Sequence, residues 1–202
     1  MNPDLNSVKT YHHGDLRTAL IAAAEEVIAE RGVDRFSLRE AARRAGVSAA
    51  APAHHFGDTR GLLTAVAART LRAFADALET ADRSGGDRLE RIRAQGAAYV
   101  RFALTERAKF DLIWRYALID RDDPDYAAAG RRAFDVRDRA VRGSDAAPSA
   151  PGELAPAPSI AAWSMVHGFA RLALDGAFGV EEGAAERAAD ALLPLVLDHL
   201  AV

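Results

Sequence analysis

The sequence contains no cysteine among its 202 residues. This absence excludes disulfide frameworks, thiol nucleophiles, zinc–thiolate sites and iron–sulfur ligation, and it is consistent with a reducing compartment. Long apolar runs are also missing, and no stretch reaches the 18 residues typical of a membrane-spanning helix. The N-terminus has no basic segment followed by an apolar one. We therefore expect a cytoplasmic protein without a signal peptide.

Charge of one sign is not in excess, because 26 basic residues stand against 29 acidic ones and the net charge is −3. Such a balance argues against non-specific coating of nucleic acid, but it is compatible with a small, localised DNA-reading element. Half of the residues are apolar, so the chain can bury a sizeable core and does not have the composition of a disordered protein. Abundant alanine favours helix.

No stretch shows sustained alternation of β-branched residues, so we predict no strands and an all-α fold. Apolar residues between Leu20 and Ile28 recur at helical spacing and predict a first helix, for which Asp15 is the expected N-cap. Eight further helices are expected to begin near Ser37, Ser48, Asp58, Asp87, Ala108, Asp123, Ser159 and Glu181. The sixth, eighth and ninth should end near Leu118, Phe178 and Leu200, and residues 143–158 should form a flexible loop.

The most informative stretch is residues 37–56, where two short helices are joined by the tight turn Ala45-Gly46-Val47-Ser48. Glycine at the end of one helix and serine before the next are typical of a helix-turn-helix. Alanine dominates the start of its second helix, so the backbone can approach another surface closely. Such a helix can lie in the DNA major groove, although an ordinary αα-corner has the same local pattern.

Four segments between residues 11 and 63 have a recognisable pattern, namely YHHGDLR at 11–17, SLREAARRAGVS at 37–48, AP at 51–52 and HFGD at 55–58. With these segments, residues 11–63 resemble the N-terminal domain of the TetR/AcrR family of bacterial transcriptional regulators. A second segment, WSMVHG at 163–168, resembles the Trp-His-Gly motif of one C-terminal subclass of that family. The resemblance implies a three-helix DNA-binding domain at 1–57 and a six-helix ligand-binding and dimerisation domain at 58–202.

The resemblance also implies a homodimer that binds a double-stranded DNA operator and releases it when a small molecule binds. No cofactor is implied. The expected dimer contact is formed by the last two helices, since the eighth is apolar nearly all round. The expected DNA-binding residues, which include the local arginines and histidines, are Arg39, Arg44, Ser48, Ala49, Ala50, Ala53, His54, His55, Thr59 and Arg60.

Two of these positions depart from the family pattern. The family commonly has a tyrosine at the position of Ala53 and a lysine at that of Thr59, and both usually contact DNA phosphates. Such contacts set the register and much of the salt-dependent affinity, so their loss should weaken binding unless other groups compensate. Thr59 retains one hydroxyl donor at a helix start, and Arg60 follows it.

Aromatic residues gather in the middle helices, where most must form core. Because ligand pockets in helical bundles are lined by aromatic side chains and a few polar groups, we expect any effector pocket there. The expected lining residues are Phe102, Phe110, Trp114, Phe134, Met165 and Phe169. His167 lies within an apolar helix and fits either a hydrogen-bonded core histidine or a ligand contact.

Three alternatives belong to other function classes. The adjacent pairs His12-His13 and His54-His55 lack the i, i+4 spacing of helical metal sites, so we predict no metal site. No nucleophile elbow, P-loop, dinucleotide fingerprint or zinc-protease motif occurs, so we predict no enzyme and no catalytic residues. A protein-interaction module whose helix-turn-helix no longer binds DNA is the remaining alternative, and Ala53 and Thr59 are the residues that favour it.

Overall fold

The computed structural model describes residues 13–84, 86–143 and 156–199. Within these ranges all regular structure is helical and no strand occurs, so the predicted all-α fold is confirmed. A 3-10 turn, Val33–Arg35, follows the first helix. The helices are α1 (His13–Arg31), α2 (Leu38–Arg44), α3 (Ala51–Phe56), α4 (Thr59–Ser84), α5 (Arg88–Thr105), α6 (Arg107–Leu112), α7 (Pro124–Arg142), α8 (Ala157–Leu174) and α9 (Ala184–Leu197).

Helices α1, α2 and α3 form a small N-terminal unit. The apolar face of α1 is fully buried at Leu20, Val27 and Ile28, as its periodicity predicts. Helix α2 contributes Ala41 and Ala42, which are buried as well. Because these two side chains are small, the backbone of α2 can lie close to α1 and a short helix suffices to close this core.

The turn after α2 is a Schellman motif, which stops the helix at a defined residue. Gly46 takes a positive φ of 70°, and its N–H donates to the carbonyl of Arg43 at 3.2 Å. The N–H of Val47 donates to the carbonyl of Ala42 at 3.0 Å. These two bonds satisfy carbonyls that the helix end would leave without partners. The geometry requires glycine because a Cβ is disfavoured at this φ.

Four of the expected helix starts are confirmed, since the side chain at each accepts a backbone N–H from the first turn of its helix. They are Ser37, Asp58, Asp87 and Asp123. Two others are wrong. Helix α1 begins at His13, before Asp15. Helix α3 begins three residues after Ser48, because the Ser48 carbonyl accepts from the N–H of Ala51 and places a separate turn before the helix.

Helix α4 is the longest described helix and joins the two parts of the molecule. Its N-terminal end packs on α1 and α3, whereas its remaining length packs on α5 and α7. Gly61 permits the contact with α3, because a Cβ there would lie 2.0 Å from the carbonyl oxygen of Phe56. In the bundle, Phe74 of α4 meets Tyr99 of α5 edge to face, with 4.9 Å between ring centroids.

Several helix ends differ from expectation. Helix α6 stops at Leu112 rather than Leu118, because the chain continues in three-residue turns. Helix α8 stops at Leu174 because Gly176, with φ 79°, closes a second Schellman motif. The expected loop at 143–158 lies largely outside the described residues, and α8 already begins at Ala157. Helix α9 continues through Pro194.

Among the described helices, none combines the length and apolarity needed to cross a membrane.

Candidate nucleic-acid interface and internal cavity

Helix α3 presents a small, exposed face to solvent. Pro52 is buried and Phe56 packs on the core, with the Arg17 guanidinium 5.2 Å from the Phe56 ring centroid. These contacts fix the rotation of α3. The exposed residues of the helix and of the preceding turn include Ser48, Ala49, Ala50, Ala53 and His54. Of the expected DNA-binding residues, these five therefore form one continuous surface.

Arg39 and Arg43 of α2 lie at one edge of this surface. Both are exposed, and together with Ser37, Val47 and Ala49 they line a shallow groove of about 410 Å³. Arg43 also donates to the carboxylate of Glu40 at 2.9 Å and 2.8 Å. Arg39 makes no ion pair with any residue that the structure describes. It is thus a cation available at the edge of the helix-turn-helix.

Arg44 lies back against α1 instead. Its guanidinium pairs with Glu26 and Glu30 of α1 and with Glu40 of its own helix, and only 15% of the side chain is exposed. The arginine hydrogen bonds lower the pKa of Glu40 to about 2, and the carboxylates raise the pKa of Arg44. Arg44 therefore acts as a clamp between α1 and α2, and its expected contact with a DNA phosphate stays a prediction.

The first two side chains of α4 point in different directions. Thr59 is exposed beside α3, whereas the Arg60 guanidinium donates to the carbonyl of Ile119 at 2.9 Å. Arg60 therefore connects α4 to the bundle, although the sequence suggested a charge for DNA. His55 is half-buried between the rings of His54 and Phe56, at centroid distances of 5.3 and 6.4 Å.

Inside the bundle, aromatic rings form one connected cluster that includes Phe74, Tyr99, Phe110, Trp114, Trp163 and His167. A chain of hydrogen bonds runs through it. Trp163 Nε1 donates to the Tyr99 hydroxyl at 3.3 Å, and that hydroxyl lies 2.8 Å from His167 Nδ1. Because an indole N–H only donates, the hydroxyl accepts from Trp163, and its own O–H can donate to His167 Nδ1 when that nitrogen is unprotonated. Burial lowers the pKa of His167 and raises that of Tyr99 to about 12.

The expected ligand-lining residues are not brought together. Phe110 and Trp114 belong to the aromatic cluster, and Phe102 lies beside it, 5.0 Å from Phe74 between ring centroids. Phe134 is partly exposed on α7 and is not among the residues that line the cavity between α5, α7 and α8. Met165 and Phe169 lie on the opposite face of α8 from Trp163 and His167, because a helix turns about 100° per residue.

A small cavity of about 30 Å³ lies between α5, α7 and α8. Its polar wall contains Gln95, Tyr99, Arg137 and Trp163, and its other wall is mostly apolar. Sequence reasoning missed Gln95 and Arg137 as lining residues. The sequence did contain one signal for Arg137. It lies four residues after Ala133 and three before Ala140, which places a cation on the buried face of an amphipathic helix.

Met165 and Phe169 instead line an apolar groove of about 530 Å³ on the outer face of α8 and α9. Leucines project from its rim, with Leu172 and Leu195 exposed to 52% and 60%. Such a patch is characteristic of a protein–protein contact.

In the described ranges, no group of three or more His, Asp or Glu side chains has the arrangement to hold a metal ion.

A helix-turn-helix with an exposed second helix, joined by one long helix to an all-α bundle, defines a DNA-binding transcriptional regulator. Two family models identify the family. One, described as "Tetracyclin repressor-like, C-terminal domain", matches residues 92–196, and the other, "Bacterial regulatory proteins, tetR family", matches residues 20–66. The chain belongs to the TetR family. The boundary predicted between residues 57 and 58 stays a prediction.

Solved structures show the same fold. A protein with unknown function from Rhodococcus sp. RHA1 is 33% identical, with a TM-score of 0.74 over 96% of this chain and 100% of that one. The TetR family regulator PfmR from Thermus thermophilus is 22% identical, with a TM-score of 0.60 over 89% and 97%. FadR from Bacillus subtilis, solved in complex with stearoyl-CoA, is 13% identical, with a TM-score of 0.63 over 89% and 97%. A comparison with curated protein sequences gives no match.

Proposed function

We propose that the protein is a homodimeric repressor that binds a DNA operator and releases it when a small molecule occupies the bundle. The single observation that carries the proposal is the continuity of α4, whose start contacts α3 and whose later turns pack against α5 and α7. A change of packing inside the bundle can therefore move the helix that faces DNA.

The proposed DNA surface consists of the exposed turn and start of α3, flanked by Arg39, Arg43 and Thr59. Ala49, Ala50 and Ala53 are exposed and small, so the backbone can approach the edges of the bases. Arg39 and Arg43 supply cations for phosphates, and Thr59 adds a hydroxyl donor at the start of a long helix. In this assignment Arg44 holds α2 against α1 through its ion pairs and so positions the DNA surface.

The proposed dimer buries the apolar groove of α8 and α9 against the same groove of a second copy. A two-fold contact of this kind uses one self-complementary surface, so that exposed leucines on each copy meet the groove of the other. Leu172, Leu192 and Leu195 are exposed around a floor that includes Met165 and Phe169. The dimer also fixes the spacing of the two α3 helices, which must match successive major grooves about 34–36 Å apart.

Polar contacts connect the bundle to the N-terminal unit in addition to α4. Arg115 beside α6 pairs with Asp34 of the 3-10 turn and with Asp111 of α6, and Asp111 pairs with Arg171 of α8. A ligand that displaces α8 therefore has a route to the helix-turn-helix. The effector acts through different affinities for the two arrangements of the dimer. The stearoyl-CoA bound by FadR supports a small-molecule effector here, given the shared fold.

The test is selection of fragments of the source genome by the purified protein, followed by fluorescence anisotropy on the enriched sequence. We expect specific, salt-dependent binding. Ala53→Glu places a carboxylate against phosphates and should weaken binding at least about 100-fold, because like-charge contacts cost several kcal/mol. Ala128→Glu, at an exposed alanine of α7, is the matched control and should bind normally.

Two outcomes contradict the proposal. If no fragment is enriched above background at low salt, the DNA-binding role is wrong. If a fragment is enriched but both variants bind it equally well, α3 does not face DNA. In either case the interaction-module alternative gains support.

A further inference from the structure

The cavity between α5, α7 and α8 contains a cation without a counter-ion in the described part of the chain. Arg137 is partly buried, and its Cζ lies 5.5 Å from the Tyr99 ring centroid and 5.1 Å from that of Trp163. Both rings offer a negative π face to the guanidinium. No carboxylate among the described residues forms an ion pair with it. Burial accordingly lowers the pKa of Arg137.

The hydrogen bonding of Arg137 is also incomplete. Its Nε donates to the carbonyl of Ala133 at 3.3 Å, while its Nη1 is enclosed and has no partner among the described residues. This unsatisfied group is a donor in the cavity wall, so the missing chemistry is that of an acceptor.

Neighbouring carboxylates are already engaged. Asp138 accepts from Arg142 and from the Ser159 hydroxyl, which lies 2.6 Å away. Asp82 accepts from Gln95 of the cavity wall at 2.8 Å and forms an ion pair with Arg91. Neither carboxylate is therefore free to neutralise Arg137. An enclosed cation of this kind is costly unless an anion pairs with it.

We propose that the effector is a monocarboxylic acid whose carboxylate pairs with Arg137 and whose apolar body lies against Trp163 and the aliphatic wall. The guanidinium fork matches a carboxylate in a bidentate pair, in which both oxygens accept. The inference rests on the proposed ligand-responsive function and adds the chemical class of its ligand.

The size and lining of the cavity favour a carboxylate over a phosphate ester. A volume of about 30 Å³ holds a headgroup of a few atoms, comparable to one or two water molecules. Arg137 is the one cation in the described wall, whereas a phosphate monoester brings close to two negative charges at neutral pH. Ile92, Val141, Ala162 and Val166 supply an apolar wall, and the helices must move apart to admit the body of the acid behind its carboxylate.

The experiment uses the intrinsic fluorescence of the full-length protein without DNA. Trp114 and Trp163 are the two tryptophans of the sequence, and both belong to the aromatic cluster. The probes are benzoate and phenylacetate, each paired with its uncharged amide, titrated to millimolar concentrations. We expect the carboxylates to change the fluorescence and to bind at least about 10-fold more tightly than the amides, a difference of about 1.4 kcal/mol.

Arg137→Met should abolish this preference, and Arg139→Met, at an exposed position one half-turn further along α7, should retain it. Thermal unfolding gives a second readout. Benzoate should raise the Tm of the unsubstituted protein and of Arg139→Met, but not that of Arg137→Met. If Arg137→Met fails to fold, Arg137→Gln, which keeps a polar side chain, replaces it in both measurements.

Equal binding of acids and amides would overturn the proposal, as would no response to any acid or a preference that survives in Arg137→Met. Asp145 and Glu153 lie outside the described residues, so the titration is repeated on D145N/E153Q. Carboxylate binding that appears only in this variant would overturn the proposal, since the counter-ion would then come from the chain. Because no DNA is present, failure of operator binding leaves these results interpretable.

Discussion

Arg115 donates to both carboxylate oxygens of Asp34, and this pair spans the boundary between the helix-turn-helix unit and the bundle. It is an exposed pair, so its direct contribution to the free energy of unfolding should be small, about 0.2–1 kcal/mol. Its position gives it a second role, because the same guanidinium also contacts Asp111 of α6.

Removing this pair should therefore affect communication more than stability. We expect Asp34→Asn and Arg115→Gln to leave the Tm nearly unchanged but to alter operator affinity. A double-mutant cycle on that affinity should give a non-additive term. Additive effects would show that the pair carries no coupling between the two parts.

Arg39 and Arg44 should respond differently to substitution, although both lie on α2. Arg39→Gln removes an exposed cation that makes no described ion pair, so it should reduce the slope of log affinity against log salt by about 0.9 for each phosphate that the protein no longer neutralises. Arg44→Gln breaks the clamp to Glu30 and Glu40 and should lower the Tm while leaving that slope unchanged in the folded protein. Anisotropy at several salt concentrations and thermal unfolding check both. A smaller salt slope in Arg44→Gln would mean that Arg44 contacts a DNA phosphate.

The features predicted well from the sequence are those fixed by local chemistry. Ser37, Asp58 and Asp87 cap helices because their side chains reach a backbone N–H two or three residues on, whatever the rest of the fold does. Gly46 sets the turn because few other residues tolerate its φ. Ser48 fails because a turn through its own carbonyl competes with the capping geometry.

The internal cavity could not be predicted from the same information. The sequence shows that aromatic residues gather in the middle helices, but the rotation of α8 decides that Trp163 faces inward while Met165 faces the apolar groove. Long-range contacts between helices set that rotation. Arg44 illustrates the same limit, since Glu30 is 14 positions away in the sequence and its contact with Arg44 depends on how α1 and α2 cross.

Substitutions in the apolar groove should separate dimer formation from folding. Leu172→Glu and Leu195→Glu place charges where two copies meet, and burying such a charge unpaired is costly. We expect both to sediment as folded monomers at micromolar concentration and to lose cooperative operator binding. Leu89→Glu, at an exposed leucine of α5, is the control and should remain a dimer. A dimer that persists in both groove variants would place the contact elsewhere.

His167 should titrate below its ordinary value of 6.5, because burial disfavours its charged form. Since the folded pKa is lowered, the unfolded chain binds the proton first as the pH falls. The contribution of His167 to stability is therefore present above 6.5 and is lost as the pH falls through the folded pKa. A Tyr99 hydroxyl that donates to Nδ1 favours the neutral ring, so in that arrangement Tyr99→Phe should raise the pKa of His167 toward 6.5. NMR titration, assigned with His167→Gln, measures the shift, and an unchanged pKa would show that the hydroxyl does not donate to Nδ1.

Ala53 and Thr59 are both exposed beside the proposed DNA surface, so larger side chains fit at each without disturbing the core. Ala53→Tyr and Thr59→Lys should add phosphate contacts, steepening the salt dependence of binding by about 0.9 per contact. Because phosphate contacts carry no direct sequence information, affinity for all sequences should rise about equally. Binding of the double variant to the operator and to a scrambled duplex checks this. A changed sequence preference would mean that these positions read bases, and no effect at any salt concentration would mean that α3 does not lie on DNA.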